Sequence, residues 1–330
     1  VLLYVFYNLQ FHFLCEHYLL LLQAYLQESY LNFVEFLFSQ QYPSKNYSTL
    51  DGLPNNSVYS VLKDSRGILW AGTANGLSAI KNGKIIQNFY TSDGLAHNSC
   101  WAIAEDRNNN VWFGSHGGGL TFYDGVKFKI INEKSGLINN SIRKLFIDKN
   151  FLYVGTEFGI SVIDIDKKKV VFNKKIIGQR KKFQVMDFVK INSKIYFGTF
   201  NDGLWNIDVS SKSIKLINHN KPDIYSIHKT NNNFLICNGD TQIDKSINRI
   251  ETNEILKNVT PQESFGSTIF WDFITDKSGI TYGAGNGINF STGGVFRVEN
   301  NKTVNVNELF NIDSFEIWSL HYEAQNEIKL

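Results

Sequence analysis

The sequence has no strong excess of charge of one sign, since its 330 residues carry 33 Lys and Arg against 31 Asp and Glu, a net charge of +2. This balance argues against a protein that binds nucleic acid or an anionic membrane through a basic surface. Charged residues are scarce at 19%, against roughly 25% in an average domain, while apolar residues reach 43%. The chain can therefore bury a large core, which excludes extended disorder as its general state.

Cysteine and proline are scarce as well, with 3 Cys and 4 Pro in the whole chain. Cys15, Cys100 and Cys237 lie far apart, so they match neither a zinc-binding spacing nor a disulfide framework. We interpret them as buried free thiols, which identify no cellular compartment. From composition and spacing we expect no metal and no cofactor.

Long uninterrupted apolar runs are also missing, even from the apolar residues 1–38. Polar residues interrupt this segment repeatedly, and no Lys or Arg precedes Lys45. A transmembrane helix needs about 20 mostly apolar residues, and a secretory signal begins with a basic stretch. Three interpretations stay open for residues 1–40: an export signal or anchor, upstream sequence translated from an alternative start, or a loosely packed helix. The change in composition near residue 40 assigns residues 41–330 to the folded region.

What the sequence does contain is an internal repeat. Segments that begin at Asp51, Asp93 and Ser135 align directly, and later copies are weaker. Serines and glycines keep a spacing of 41 to 43 residues along these copies: Ser57, Ser99 and Ser141, then Gly72, Gly114, Gly155 and Gly198. A period of this length is typical of repeat architectures in which each unit is one supersecondary element.

Each repeat contains four short strand-like runs separated by turn residues. In the first copy the runs are Val58–Asp64, Ile68–Thr73, Leu77–Lys81 and Lys84–Tyr90. The turns include Asn82-Gly83, a pair that favours hairpins because both residues adopt positive φ. Four antiparallel strands per unit predict an all-β fold, a β-propeller of four-stranded blades. We expect the blades near residues 53–92, 93–134, 135–180, 181–220, 221–265 and 266–312, with a partial blade at 313–330.

The number of blades follows from the repeat length. Seven blades of about 42 residues need more positions than residues 53–330 supply. We therefore expect a seven-bladed type of propeller that is incomplete at its C-terminal end.

One copy carries the fullest pattern of the repeat. Its elements are Gly94-Leu95, Asn98-Ser99, Asp106, Trp112-Phe113-Gly114-Ser115, Gly119-Leu120 and Tyr123-Asp124-Gly125. This pattern resembles the two-component regulator propeller repeat, strongly over residues 51–208 and more weakly beyond. The resemblance implies the periplasmic sensor region of a bacterial two-component regulator or sensor histidine kinase.

The resemblance also implies partners and an output. Proteins of this family signal through a membrane helix to a kinase, a DNA-binding domain or a cyclase, and several sense glycan fragments. We therefore expect a small-molecule or oligosaccharide ligand, no nucleic-acid partner for this region, a membrane link only through other segments, and a homodimer of the full-length sensor.

We expect no catalysis by this chain. The alternatives are a propeller enzyme of lyase or glycosidase type, which paired carboxylates in the channel would favour, and a protein-interaction scaffold.

Strand order predicts where a ligand would bind. The links between blades and the turns between second and third strands share one end of the ring, and the first strand of each blade lines the channel. The candidate ligand-binding residues at this end are Tyr59, Trp101, His116, Arg143, Glu157, Phe200, Asn201, Asp202 and Trp271. Aromatic and polar groups together suit a polar ligand such as an oligosaccharide. Packing between blades is the alternative interpretation of the recurring aromatics.

Arg143 is the departure from the repeat pattern that most suggests a binding site, because other copies have an aromatic residue at its position. A buried, unpaired guanidinium is costly, so the sequence predicts either an anionic ligand or a partner such as Glu157.

Two other recurring positions are expected to be structural. The aromatic series of the second strands is assigned to the core: Trp70, Trp112, Tyr153 and Tyr196. The aspartates that end the first strands are expected to organise the following turn by accepting backbone N–H groups: Asp64, Asp106, Asp148 and Asp276.

Overall fold

The structure is a computed structural model. It describes residues 45–175, 183–200, 202–218, 223–230, 233–238, 247–251, 263–265, 268–287, 293–299, 302–310, 312, 317–323 and 327–329. The predicted leader, residues 1–40, therefore lies outside the described residues. The chain divides into two compact units, of which the larger comprises Lys45–Asn307 and Asp313–Leu330 and the smaller Val1–Ser44 and Glu308–Ile312.

The larger unit contains every strand described. The first blade consists of β1 (Val58–Lys63), β2 (Leu69–Thr73), β3 (Gly76–Lys81) and β4 (Lys84–Phe89). The second consists of β5 (Cys100–Glu105), β6 (Val111–Ser115), β7 (Leu120–Tyr123) and β8 (Phe128–Ile131). The third consists of β9 (Ile142–Asp148), β10 (Phe151–Thr156), β11 (Gly159–Asp164) and β12 (Lys169–Lys175).

Three further sheets follow the same order. The fourth blade consists of β13 (Gln184–Ile191), β14 (Lys194–Phe200), β15 (Gly203–Asp208) and β16 (Ser213–Asn218). The fifth consists of β17 (Ile224–Lys229), β18 (Asn233–Asn238), β19 (Ile247–Glu251) and β20 (Glu263–Phe265). The sixth consists of β21 (Thr268–Thr275), β22 (Thr281–Gly287), β23 (Gly294–Glu299) and β24 (Lys302–Asn305). The short helix α1 (Asn307–Phe310) and the ribbon of β25 (His321–Glu323) and β26 (Glu327–Lys329) end the described chain.

Neighbouring strands within each sheet pair antiparallel and in chain order. The first strand of each blade contacts the first strand of the next, and β25 contacts both β21 and β1. The predicted β-propeller with four-stranded antiparallel blades is confirmed. Within the described residues it comprises six complete four-stranded sheets and one two-stranded ribbon, so seven complete blades are not seen there.

The glycines that recur in the second strands mark close contact between neighbouring blades. A Cβ atom at Gly114 would lie 2.6 Å from Cγ2 of Ile142, and one at Gly198 would lie 2.4 Å from Cγ2 of Ile224. Both isoleucines are in the first strand of the following blade. Any larger side chain would push the blades apart, so this part of the repeat encodes blade packing.

The link between blades is a short 3₁₀ turn, seen best at Thr91–Asp93. Gly94 follows it at φ 113°, a conformation that favours glycine, and Leu95 is buried. The Asn98 side-chain oxygen accepts a hydrogen bond from the Thr91 N–H at 2.9 Å. The links before the first and third blades repeat this arrangement. The Gly-Leu and Asn elements of the repeat are therefore explained by link geometry.

The tryptophans of the second strands form the predicted core. Trp70 and Trp112 are about 1% and 0% exposed, respectively. Each indole Nε1–H donates to a carboxylate at the end of the preceding strand, Asp64 at 2.9 Å and Asp106 at 2.8 Å. The equivalent tyrosines of the third and fourth blades are buried as well. An aspartate and a tryptophan thus satisfy each other's polar atoms inside the blade.

Three of the four predicted turn aspartates have the expected role. Asp64, Asp106 and Asp276 each accept two backbone N–H groups of the turn that follows. The prediction is wrong for Asp148, whose carboxylate instead accepts a hydrogen bond from Lys190 Nζ at 2.6 Å. The turn after β9 is shorter than the others, so it has no matching row of N–H groups for this side chain.

Cys100 fits the interpretation as a buried free thiol. Burial raises the pKa of this thiol to about 12, so it is protonated at neutral pH.

Candidate functional site

The candidate site arises from an irregularity in the first strand of each blade. The pairing with the second strand shifts by one residue near the start of β1, β5, β9, β13, β17 and β21. The residues left between the paired positions are Tyr59, Trp101, Arg143, Met186, Tyr225 and Trp271. Such β-bulges redirect a side chain and are frequent near binding sites. Met186, the bulged residue of the fourth blade, was not among the predicted residues.

Five aromatic side chains at this level form a continuous series, which we call the aromatic belt: Tyr225, Trp271, Trp318, Tyr59 and Trp101. Their consecutive ring centroids are 5.2, 4.8, 5.9 and 5.0 Å apart. The rings come from the fifth and sixth blades, from the segment before β25, and from the first and second blades. All five are half-buried, so their ring surfaces are partly accessible.

A polar cluster of Arg143, Glu157 and His116 continues the belt beyond Trp101. The Arg143 guanidinium lies over the Trp101 ring at 4.5 Å, and its Nη2 donates to Glu157 Oε1 at 2.7 Å. His116 Nε2 lies 3.3 Å from the same oxygen, and its ring stacks on Trp101 at 4.7 Å. Of the two explanations for Arg143, the structure therefore shows the carboxylate partner.

Local backbone contacts explain how the polar cluster is held. His116 and Glu157 sit in turns between second and third strands, where a predicted ligand would meet the ring. Their N–H groups donate to the carbonyls of Ser99 and Ser141, which precede the first strands of their own blades. Each turn is thus fixed against the adjacent link, and Glu157 is only 6% exposed.

Next to the bulged residues lies a second layer of charged side chains, Lys144, Asp187 and Asp272. Lys144 Nζ is 3.3 Å from Asp187 Oδ1 and 3.7 Å from Asp272 Oδ1. These residues belong to the third, fourth and sixth blades, so one ion pair joins neighbouring blades and the other joins blades that are not adjacent in the chain. The far carboxylate oxygens accept the Ile227 and Leu320 N–H groups at 2.9 and 3.0 Å.

The ionisation of this layer follows from its surroundings. Burial alone would lower the pKa of Lys144, but Asp187 and Asp272 raise it above the ordinary value, which keeps the ammonium charged. Burial raises the pKa of Asp187, and the attraction of Lys144 opposes that shift. Sequence reasoning missed all three residues. The available signal was the same repeat position in other copies, where small residues occur: Ser60, Ala102, Ser226 and Ser319.

The remaining predicted residues lie at the margin of the site. Phe200 contacts the belt through Tyr225, with 5.8 Å between their centroids. Asp202 accepts a hydrogen bond from Trp205 Nε1 through its backbone carbonyl at 2.9 Å. Asn201 lies outside the described residues. The structure thus brings Tyr59, Trp101, His116, Arg143, Glu157 and Trp271 into one connected surface, with Phe200 at its edge.

A cavity of about 560 Å³ lies elsewhere, near the turns that follow the first strands. Its lining residues include Phe146, Phe188, Lys190, His228 and Lys229. These positions are at the opposite end of the strands from the bulges.

In the ranges given above, no cluster of His, Cys, Asp and Glu has the arrangement of a metal site. Nor does the described part of the chain contain a helix of the length and hydrophobicity that a membrane span requires.

In the comparison with known proteins, one family model matches two segments of this chain. Residues 52–75 and 94–117 match the model of the two component regulator propeller. The matched segments cover the link, the first hairpin and the following turn of the first two blades. No curated protein matches the chain.

Solved structures share the fold over most of this chain. An extracellular domain described as part of a hybrid two component system, BT3049 of B. thetaiotaomicron, is 19% identical with a TM-score of 0.68, and the match covers 87% of this chain and 40% of that one. A second such domain, BT4673 of B. thetaiotaomicron, is 17% identical with a TM-score of 0.62, covering 82% and 38%. PorZ, a surface component of the type-IX secretion system of Porphyromonas gingivalis, is 13% identical with a TM-score of 0.56, covering 82% and 34%.

At these identities the likeness concerns the fold. This chain spans less than half the length of each of these three proteins.

Proposed function

We propose that this chain is a ligand-sensing propeller of a bacterial two-component sensor, and that the aromatic belt and polar cluster bind a polar ligand such as an oligosaccharide. The observation that carries the proposal is the belt itself, five half-buried rings that end at a hydrogen-bonding Arg–Glu pair. Aromatic faces stack on the apolar faces of sugars, and nearby polar groups bind their hydroxyls.

The family match supports the sensing role. Two repeats match the two-component regulator propeller, and two of the similar solved domains are described as extracellular parts of two component systems. By analogy we place this propeller outside the cytoplasm, in the periplasm, with signalling through a histidine kinase or another output domain and with a homodimer as the full-length form. Binding would be transmitted only if the ligand prefers one arrangement of the sensor.

We also propose a seventh position in the ring. β25 contacts both β21 and β1, and Trp318 before it contacts Tyr59 on one side and Trp271 on the other. The segment around β25 thus takes the place that the first strand of a seventh blade would occupy.

Catalysis by a glycosidase mechanism would need two carboxylates free to act as acid and base. Asp187 and Asp272 do share a layer of the channel, but Lys144 and backbone N–H groups are already bound to both. These contacts favour a structural role, and we propose binding without catalysis.

A screen of oligosaccharides by thermal shift and calorimetry tests the proposed function. We expect stabilisation by at least one polysaccharide class, without release of reducing ends. Trp101→Ala should abolish that stabilisation, because Trp101 joins the belt to the polar cluster. The matched control is Phe128→Ala, which also removes a half-buried ring with two aromatic neighbours, but on the outer strand of the second blade. Failure of every class, or equal loss in both variants, would contradict the proposal.

A further inference from the structure

The charges at the channel end of the ring are already matched by the protein itself. Arg143 is paired with Glu157 at 2.7 Å, and their side chains are 19% and 8% exposed. Such a charge-assisted contact is short and strong, and it uses the positive charge that an anionic ligand would need. Arg143 therefore presents N–H donors to a ligand without presenting an unmatched cation.

The second layer contains more negative than positive charge. Lys144 faces two carboxylates, Asp187 and Asp272. Together, Arg143 and Lys144 contact three carboxylates, Glu157, Asp187 and Asp272, so this group of five side chains has a net charge of −1. An anionic group entering here would lose its hydration and find no unpaired cation among these five side chains.

A neutral polyhydroxylated ligand meets a different surface. Its hydroxyl groups both donate and accept hydrogen bonds, and the pair offers a donor in Arg143 and an acceptor in Glu157. The Trp271 indole Nε1 next to this site is buried and has no hydrogen-bond partner among the described residues. The half-buried Trp101 ring, which contacts both the Arg143 guanidinium and the His116 ring, adjoins these polar groups.

We propose that this site selects neutral polyhydroxylated ligands against anionic ones, because Glu157 neutralises Arg143. The inference rests on the proposed function for the identity of the site, and it adds the charge class of the ligand. Glu157 is then a specificity-determining residue.

The experiment compares matched ligands that differ only in charge. Oligosaccharides of equal length and linkage are used in neutral and uronic acid forms, and binding to the whole chain is measured by calorimetry. We expect the wild type to bind the uronate form at least about tenfold more weakly than the neutral form. Glu157→Gln leaves Arg143 unmatched, so the preference should shift toward the uronate by about tenfold. Arg143→Gln should shift it in the opposite direction, which provides a second variant if Glu157→Gln does not fold.

A second arm does not depend on carbohydrate. Sodium sulfate should raise the Tm of Glu157→Gln by a few degrees more than that of the wild type, because only the variant has an unpaired guanidinium. The double variant Arg143→Gln with Glu157→Gln is the control for the general effect of sulfate on stability, and it should respond like the wild type.

The two arms separate the two hypotheses. If no oligosaccharide of either form binds the wild type, the proposed function is wrong, and the sulfate comparison still decides the charge inference. Tighter binding of the uronate by the wild type would overturn the inference. An equal sulfate response in the wild type and Glu157→Gln would overturn it as well.

Discussion

The same side chain has two different roles in two regions of this ring. In the blade cores, the indoles of Trp70 and Trp112 are fully enclosed, and their Nε1–H groups are bound to aspartates. In the channel, Trp101 and Trp271 are half-buried on β-bulges, and the Trp271 Nε1 has no partner among the described residues. The core indoles are thus fully enclosed, whereas the channel indoles keep accessible ring surface, although the Trp101 Nε1–H also donates to Ser99 Oγ at 2.8 Å.

The comparison also separates what the repeat encodes from what it leaves variable. The elements that recur between copies have structural roles. Gly94 and Asn98 shape the link between blades, and Gly114 allows close contact with the next blade. The bulged positions differ from blade to blade and include an arginine and a methionine among the aromatics. Positions that recur therefore build the ring, and positions that vary within the ring form the candidate site.

The largest expected effect tests the core side of this comparison. Trp112→Ala should lower the free energy of unfolding by about 3–5 kcal/mol, because it leaves a cavity and removes the indole hydrogen bond to the buried Asp106 carboxylate. Trp101→Ala should cost only about 1 kcal/mol, since its ring is half-buried. Equilibrium unfolding in urea measures both. Equal destabilisation by the two variants would show that the channel indoles are packing residues.

The second prediction concerns the charged layer beside the belt. Lys144→Met should destabilise the ring by about 3 kcal/mol, because Asp187 and Asp272 lose their shared cation while remaining largely enclosed. Lys129→Met, on the exposed face of β8, should change stability by less than about 0.5 kcal/mol. Urea unfolding of both variants gives the comparison. Replacing both aspartates by asparagine in the Lys144→Met background should recover part of the loss.

If Lys144→Met proves as stable as Lys129→Met, the layer contributes nothing to ring stability. In that case Asp187 and Asp272 would need another explanation, and the enzyme alternative would gain support.

The smallest effect is a dependence on pH at the interface of the fifth and sixth blades. Burial lowers the pKa of His228 to about 4, and its Nε2 lies 2.7 Å from Thr275 Oγ1. Because the folded-state pKa is below the unfolded value of about 6.5, the stabilisation is present above pH 6.5 and is lost as the pH falls toward 4. The loss should reach up to about 3 kcal/mol.

Unfolding in urea between pH 7 and pH 4 checks this dependence. His228→Asn should flatten the profile by the stated amount. His97→Asn, at an exposed position in a link, is the control for the loss of one histidine. If the control also flattens the profile, or His228→Asn does not, the dependence arises elsewhere.

The sequence predicted the local parts of the site better than their connections. The repeat placed Tyr59, Trp101 and Trp271 on first strands, and the departure at Arg143 indicated a partner such as Glu157. It did not reveal Lys144 with Asp187 and Asp272, because residues so far apart in the chain become neighbours only when the strands meet around the channel. The prediction for Asp148 was wrong for a local reason, since the turn after it is too short to supply the expected N–H groups.

The amino-acid sequence by itself determined the blade. Period, turn residues, glycines and the Asp–Trp pairs act within one repeat or between consecutive ones, so their pattern is visible along the chain. Only the tertiary structure decided what the channel presents: a belt of rings from different blades, an arginine neutralised by a glutamate, and a lysine shared by two aspartates. The physical reason is that charge balance and burial depend on distances across the ring, which repeat spacing does not encode.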